Sequence, residues 1–317
     1  MGMGGNEGLS YGATKKIAKE AEEFGFDTIL LPDEMFLTLN PTTECWTALT
    51  ALACGTKRIR LGPYITCYNY RHPAVLAKMG ATLDVISDGR LQFSLGACGW
   101  GQEVVHRAYG IEYPGLEERV ERLKEAIRVI RILWSQSNAN FNGRYYSIRD
   151  AICEPKPLQK PMEIWTGGSS DLLIKAAAEV ADGWDTGFCT LAGFVNMSDK
   201  LDSACQMFGR DSRSIKRSMH WHTTLIGKSR DELVEKRKRY LIPQLEAKSK
   251  HPTRWIRELA EKEYVERRFL IGTPEEILDR VTGFIDRGCD ALNFVFPDAV
   301  ESNSLQLFSE GIISKIQ

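Results

Sequence analysis

The stretch EIWTGGSSDLLIKAAAEVADGWDT, Glu163–Thr186, decides how the chain is read. A short apolar run ends on Gly167, Gly168, Ser169 and Ser170, opens directly into an alanine-rich helix, and leads to a second short run, GWDT. Strand, tight turn, helix and strand make the unit from which parallel sheets are built. A sharp turn needs one glycine. Two of them, followed by hydroxyls at a helix start, point to a backbone that approaches an anion closely, because the first N–H groups of a helix have no intrahelical partner. Ser169 and Ser170 can donate to such an anion or simply cap the helix. The plain alternative is a capped β–α turn.

The same alternation continues on both sides. DTILLP (27–32), IRLGPYIT (59–66) and RLQFSLG (90–96) read as strands before it, and SMHWHTTLIG (218–227) and DALNFVFP (290–297) as strands after it. Helices are expected over Gly12–Phe24, Glu44–Gly55, Pro73–Ile86 and Leu116–Trp134. The last has an apolar stripe at Leu116, Val120, Leu123, Ile127 and Ile130, with outward ion pairs expected for Glu118–Arg122 and Glu125–Arg128. Roughly seven strand–helix repeats result, where eight close a TIM-type (β/α)8 barrel. The remaining one belongs before Gly12, yet MGMGGNEGLSY carries no apolar run, so the first strand is expected to be missing or truncated. Residues 1–317 read as a single domain, with insertions near 140–161, where FNGRYYSI resembles a hairpin, and near 249–268, a polar and charge-rich stretch.

Composition narrows the function classes. The chain is 43% hydrophobic and 26% charged with a net charge of −1, which argues against an electrostatic nucleic-acid binder. No apolar run is long enough to span a bilayer, and no leader is read. The eight cysteines include no C-x-x-C pair and read as reduced, mostly buried residues of a cytoplasmic protein.

Ligands of parallel α/β proteins sit at the carboxyl ends of the strands, so residues there carry most weight. Asp33 and Glu34 in PDEMF can move protons or cap a helix. GPYITCYNYRHP (62–73) places Tyr64, Tyr68 and Tyr70 at a strand end, and His72 before Pro73 suits a helix start better than a catalytic base. SLGACGWGQE (94–103) surrounds Trp100 with glycines and ends on Glu103, and it holds no dinucleotide fingerprint. His220 and His222 share one face of a strand, where a hydrogen-bonded pair is favoured over a metal site lacking a third ligand. IGTPEE (271–276) is a capping box rather than a phosphate motif, and EKRKRY (235–240) is a solvated helix face.

Taken together, AEEFGFDTILLPDEMF, the segment from Leu61 to Glu103, IWTGGSSDLLIKAAAEVADGWDT and FLIGTPEEI resemble the bacterial-luciferase-like family of flavin- and deazaflavin-dependent oxidoreductases. The resemblance implies a luciferase-like TIM barrel with the cofactor ring at the carboxyl-end mouth. It also implies that Gly167, Gly168 and Ser169 cradle a cofactor phosphate, and that a strand bulge near Tyr64 and Ile65 supports the ring. Asp33 joins them as a cofactor-binding candidate, and Glu103 and Glu34 are the catalytic candidates, as buried acids with raised pKa values. Glu34 follows Asp33 where many relatives carry histidine. The segments are more similar to the branch that uses coenzyme F420, methylenetetrahydromethanopterin reductases included, than to the oxygen-activating luciferases. Hydride transfer between F420 and a small organic substrate is therefore the expected activity. An FMN-dependent monooxygenase and a non-catalytic flavin-binding protein are the alternatives. The expected partners are a small-molecule substrate and a second copy of the chain in a homodimer, with no nucleic acid and no membrane.

Overall fold

Parallel strands drawn from both ends of the chain meet side by side. The computed structural model describes residues 2–4, 9–35, 42–99, 101–242 and 267–316. In chain order the first elements are β1 (Gly2–Gly4), α1 (Tyr11–Glu23), β2 (Thr28–Leu31), α2 (Cys45–Gly55), β3 (Arg60–Pro63), β4 (Thr66–Cys67), α3 (Pro73–Ile86), β5 (Phe93–Gly96), α4 (Gln102–Ala108) and α5 (Leu116–Ser135). There follow β6 (Ala139–Asn142), β7 (Ser147–Ala151), β8 (Ile164–Gly167), α6 (Asp171–Val180), β9 (Gly183–Gly187), α7 (Leu191–Met207) and β10 (Lys216–His220). The last are β11 (Thr223–Ile226), α8 (Arg230–Lys236), β12 (Phe269–Gly272), α9 (Pro274–Ile285), β13 (Ala291–Phe294) and α10 (Ser304–Phe308).

The main sheet runs β3-β2-β1-β13-β10-β9-β8-β5-β4. Its two ends meet. Leu61 of β3 pairs in parallel with Leu91, just before β5, through Leu61 N–H to the Arg90 carbonyl at 3.1 Å and Gln92 N–H to the Leu61 carbonyl at 2.9 Å. β3 and β4 are two halves of one stave, interrupted by a cis peptide between Tyr64 and Ile65. Counting them together turns the nine strands into eight, and the barrel is closed. At this seam Gly62 has no room for a Cβ, which would run into the Gln92 carbonyl. The barrel strands β2, β5 and β9 are almost wholly buried, and β2 accordingly reads as a short continuous apolar run.

The first strand, expected to be missing or truncated, is present but only three residues long. β1 pairs in parallel with both β2 (Gly2 with Thr28, Met3 with Ile29, Gly4 with Leu30) and β13 (Gly2 with Asn293, Met3 with Phe294). Three residues suffice because a ladder is made by backbone groups, and Gly-Met-Gly supplies them without an apolar pattern to betray it.

Elsewhere the helices fall within a residue or so of expectation, and three local readings change. Glu118 does pair with Arg122 at 2.6 Å, but Glu125 turns away from Arg128 and accepts the backbone N–H groups of Arg144, Tyr145 and Tyr146 at 2.8–3.1 Å. It thereby holds the tip of the antiparallel hairpin β6–β7, while Arg128 pairs with Glu179. Within the charged run 235–240, Lys236 is buried, 2.8 Å from Asp298 and from the Ser304 hydroxyl, because α8 packs against β11 and β12. The cysteines are not all reduced: Cys67 and Cys98 form a disulfide, since β4 and β5 lie side by side and bring their ends together. Residues 249–266 and Trp100 lie outside the described residues. No helix among the described residues is long and apolar enough to cross a membrane. The capping box at Thr273 and Glu276 is present.

One carboxylate fixes the approach to β3. Glu22, at the end of α1, accepts the N–H groups of Lys57, Arg58 and Ile59 at 2.9, 2.6 and 2.9 Å. Burial alone would raise its pKa, but the three donors and the Arg58 charge outweigh it and hold the carboxyl below 4.5. A depressed folded-state value contributes stability above the unfolded pKa, and that stability is lost as pH falls through the folded value. Glu22→Gln should therefore cost about 1–2 kcal/mol in urea unfolding at neutral pH. The gap to the parent protein should narrow as both are acidified below the ordinary glutamate value. A gap independent of pH would contradict the assignment.

Candidate functional site

The barrel mouth is organised by one buried acid. Asp185 lies on β9 in register with Ser218 of β10, and only 4% of it is exposed. A lone carboxylate there demands donors, and the barrel supplies three. Ser218 donates its hydroxyl to Oδ1 at 2.5 Å, and His220 donates from Nδ1 to Oδ2 at 2.9 Å. Tyr64 donates its hydroxyl to the same oxygen at 2.8 Å. β3 does not neighbour β9 in the sheet, so the Tyr64 side chain crosses the lumen to make this bond. Its hydroxyl also meets the Asn293 side chain on β13, and burial together with the Asp185 charge pushes the phenol well above its ordinary value. Three staves are thus tied through one carboxylate, and β13 joins them through the Tyr64 hydroxyl.

His220 is the member of this group that reaches the mouth, with 19% of its side chain exposed. Its ring lies over Gly187, its register partner, where any Cβ would collide with the imidazole. Tyr64 meets the ring edge-on at 5.2 Å and Phe188 at 4.8 Å. Phe188 holds a left-handed backbone at φ 58°, an unfavourable conformation for a bulky residue, and its ring lies under the Arg268 guanidinium. His222 takes a different partner, its Nδ1 lying 3.2 Å from the Thr223 hydroxyl.

The two glycines of the opening stretch have separate reasons. At Gly167 a Cβ would lie 2.5 Å from Cδ1 of Ile65, which is also in close contact at Gly96. Ile65 is thus seated between two glycine backbones, and the floor at the end of β8 stays low. Gly168 has φ 134°, its N–H is bonded to the Asp185 carbonyl at 3.0 Å, and a Cβ there would strike Leu173. Ser170 caps α6 by accepting the Leu173 N–H at 3.3 Å, which leaves the first-turn N–H groups of Asp171 and Leu172 without an intrahelical acceptor. Ser169 is exposed beside them.

The remaining expected residues separate. Asp33 is buried in a two-pronged ion pair with Arg71, at 2.7 and 3.0 Å, and accepts the Cys67 N–H at 3.3 Å. Burial pushes its carboxyl up, against the pull of Arg71. Arg71 also reaches Glu44, which caps α2, so this chain of charges ties the β2, β4 and α2 ends of the mouth. Glu34 is half-buried beside it and contributes to the charge felt by Tyr70. His72 caps α3 by accepting the Ala74 N–H. Glu103 is corrected: it is not a buried acid. Gly101, at φ 87°, turns the chain into α4 so that Glu103 faces solvent, 61% exposed, and pairs with Arg107 one turn on.

Sequence reasoning did not single out Asp185, Ser218 or Asn293. The available signal was an acid inside GWDT, a strand otherwise fully buried, for which a partner must exist.

Comparisons with known proteins agree with this architecture. The family model described as luciferase-like monooxygenase matches residues 2–291. The F420-dependent glucose-6-phosphate dehydrogenase of Microbacterium testaceum (strain StLB037) is 29% identical over 330 residues, covering 99% of this chain and 94% of that protein. The protein of the same name from Amycolatopsis mediterranei (strain U-32) is 28% identical over 318 residues, covering 95% and 93%. Among solved structures, an F420-dependent secondary alcohol dehydrogenase in complex with an F420–acetone adduct superposes with a TM-score of 0.82 at 20% identity, covering 99% of this chain and 98% of the other. The coenzyme F420-dependent tetrahydromethanopterin reductase of Methanopyrus kandleri gives 0.81 at 19% identity, covering 100% and 99%. With most of its length matched by the family model and its barrel shared with these structures, the chain belongs to the luciferase-like monooxygenase family.

Proposed function

We propose that the protein is an F420-dependent oxidoreductase that moves a hydride between the deazaflavin and a hydroxylated small molecule, with a sugar phosphate, as in the names of its relatives, the first substrate to try. The observation that carries this reading is the Asp185–His220 pair, a histidine oriented by a buried carboxylate and exposed at the barrel mouth. Oxidising an alcohol requires a hydride acceptor for the C–H bond and a base for the O–H proton. When bound, the deazaflavin supplies the hydride-accepting carbon. With its Nδ1 proton held by Asp185, His220 presents Nε2 as the base, and the carboxylate stabilises the imidazolium that forms. Phe188 packs beside the ring and limits water there.

The residues at the mouth fit such a cofactor. The seat of Ile65 between Gly96 and Gly167 gives a low apolar floor for a planar ring. Next to it, the first-turn N–H groups of α6 and the Ser169 hydroxyl offer donors for a phosphate. Asp33 supports the rim across from this cradle, by fixing Arg71 and the Cys67 backbone. Glu34, on the same rim, is proposed as a second polar contact for substrate rather than the base.

Two outcomes are expected. His220→Gln should lower kcat for deazaflavin reduction by about 10²–10⁴-fold while leaving cofactor affinity nearly unchanged, and Glu34→Gln should lower it less. Full turnover in the His220 variant would remove the assignment, and turnover with FMN and oxygen instead of F420 would favour a monooxygenase. Ser169→Glu, at an exposed position, should leave the thermal midpoint unchanged. It should weaken F420 binding about five- to thirtyfold, with no effect on a deazaflavin nucleoside that lacks the phosphate. Equal loss for both ligands, or none for F420, would place the phosphate elsewhere.

A further inference from the structure

The rim of the mouth carries a second cluster that the hydride chemistry does not use. Cys67 at the end of β4, Cys98 just after β5, and His106 on α4 bring their ligand atoms within 4.8 Å of one another. Cys67 and His106 are buried, and Cys98 is half-exposed. The Asn69 side-chain oxygen sits among them, 3.0 Å from the Cys67 sulfur, 3.4 Å from the Cys98 sulfur and 2.9 Å from His106 Nε2.

The two side chains that are not cysteines are held from behind. His106 Nδ1 lies 2.6 Å from the Gln102 carbonyl, which holds the ring with its Nε2 edge toward the sulfurs and the Asn69 oxygen. Asn69 Nδ2 donates to the Glu112 carbonyl at 2.7 Å, which points its oxygen inward. Outer hydrogen bonds of this kind orient the ligands of metal sites. Two sulfurs, one nitrogen and one oxygen converge at this point.

We propose that this cluster is a redox-gated site for a thiophilic divalent cation of the zinc type. A disulfide links Cys67 and Cys98 in the oxidised protein, and the same two sulfurs with His106 Nε2 and Asn69 Oδ1 bind the cation in the reduced protein. An external dithiol breaks the S–S bond, giving up two electrons and two protons and becoming a disulfide itself. The cation then displaces the two thiol protons and is held by two thiolates and two neutral donors. Tetrahedral zinc, with bonds of about 2.3 Å to sulfur and 2.0–2.1 Å to nitrogen, sets its sulfur and nitrogen ligands about 3.6 Å apart. Cys67 Sγ and His106 Nε2 already stand at 3.6 Å. In either state the third and fourth strand-to-helix connections are cross-linked, so the rim is braced under oxidising and reducing conditions alike.

The test is a Co2+ titration of the full-length protein, reduced with a dithiol and then freed of it, against the oxidised protein. The reduced protein should take up one equivalent of Co2+ and show a thiolate-to-cobalt charge-transfer band with the visible spectrum of tetrahedral cobalt, bleached by Zn2+. The oxidised protein should show neither. Cys98→Ser should abolish the band, His106→Gln should weaken Co2+ binding at least about tenfold, and Cys54→Ser, at the exposed cysteine elsewhere, should change nothing. Should Cys98→Ser fail to fold, His106→Gln carries the same test. Absence of the charge-transfer band in the reduced protein, or a band that survives in both Cys98→Ser and His106→Gln, would overturn the proposal.

Discussion

A carboxylate buried in a barrel must be satisfied by the barrel, and Asp185 takes three donors from two other staves. Ser218 and His220 reach it from the neighbouring strand, and Tyr64 reaches it across the lumen while touching Asn293. Leaving even one of these donors unmade would cost about 1–3 kcal/mol, so the carboxylate constrains β3, β9, β10 and β13 together. That constraint also has a chemical result. It leaves one imidazole fixed in orientation at the mouth.

The glycines around this centre act as clearances. Gly187 makes room for the His220 ring, Gly96 and Gly167 for Ile65, and Gly62 for the close approach of strands at the seam. Each marks a place where the backbone, rather than a side chain, must form the surface. A planar cofactor needs such a surface, and a substrate needs a base beside it. In the proposed function one set of strand ends supplies both. Asp33, Arg71 and Glu44 brace the opposite rim through charge pairs that connect loops rather than reach inward.

Much of the fold could be read directly from the sequence because strands buried on both faces appear as short apolar runs, as in DTILLP and RLQFSLG. β1 could not, because its pairing uses only the backbone of Gly-Met-Gly. The double glycine was visible, but one of its reasons is Ile65, about a hundred residues earlier in the chain. Glu103 was misread because nearness to a strand end in sequence is not nearness in space, and the turn at Gly101 sends it outward. Cys67 and Cys98 are 31 residues apart, and only the pairing of β4 with β5 makes them neighbours. Asp185 stood in plain view within GWDT. Its partners at 64, 218 and 220 converge only after the barrel has closed.

The proton position on His220 tests this arrangement most directly. Nitrogen-detected NMR of the imidazoles in protein labelled at histidine, with Asp185→Asn used to assign the His220 resonances, reports which ring nitrogen carries the proton. A proton on Nδ1 that shifts strongly in Asp185→Asn, with Nε2 bearing the lone pair, is the result required if Asp185 orients the base. A proton on Nε2, or His220 resonances indifferent to the Asp185 substitution, would contradict it.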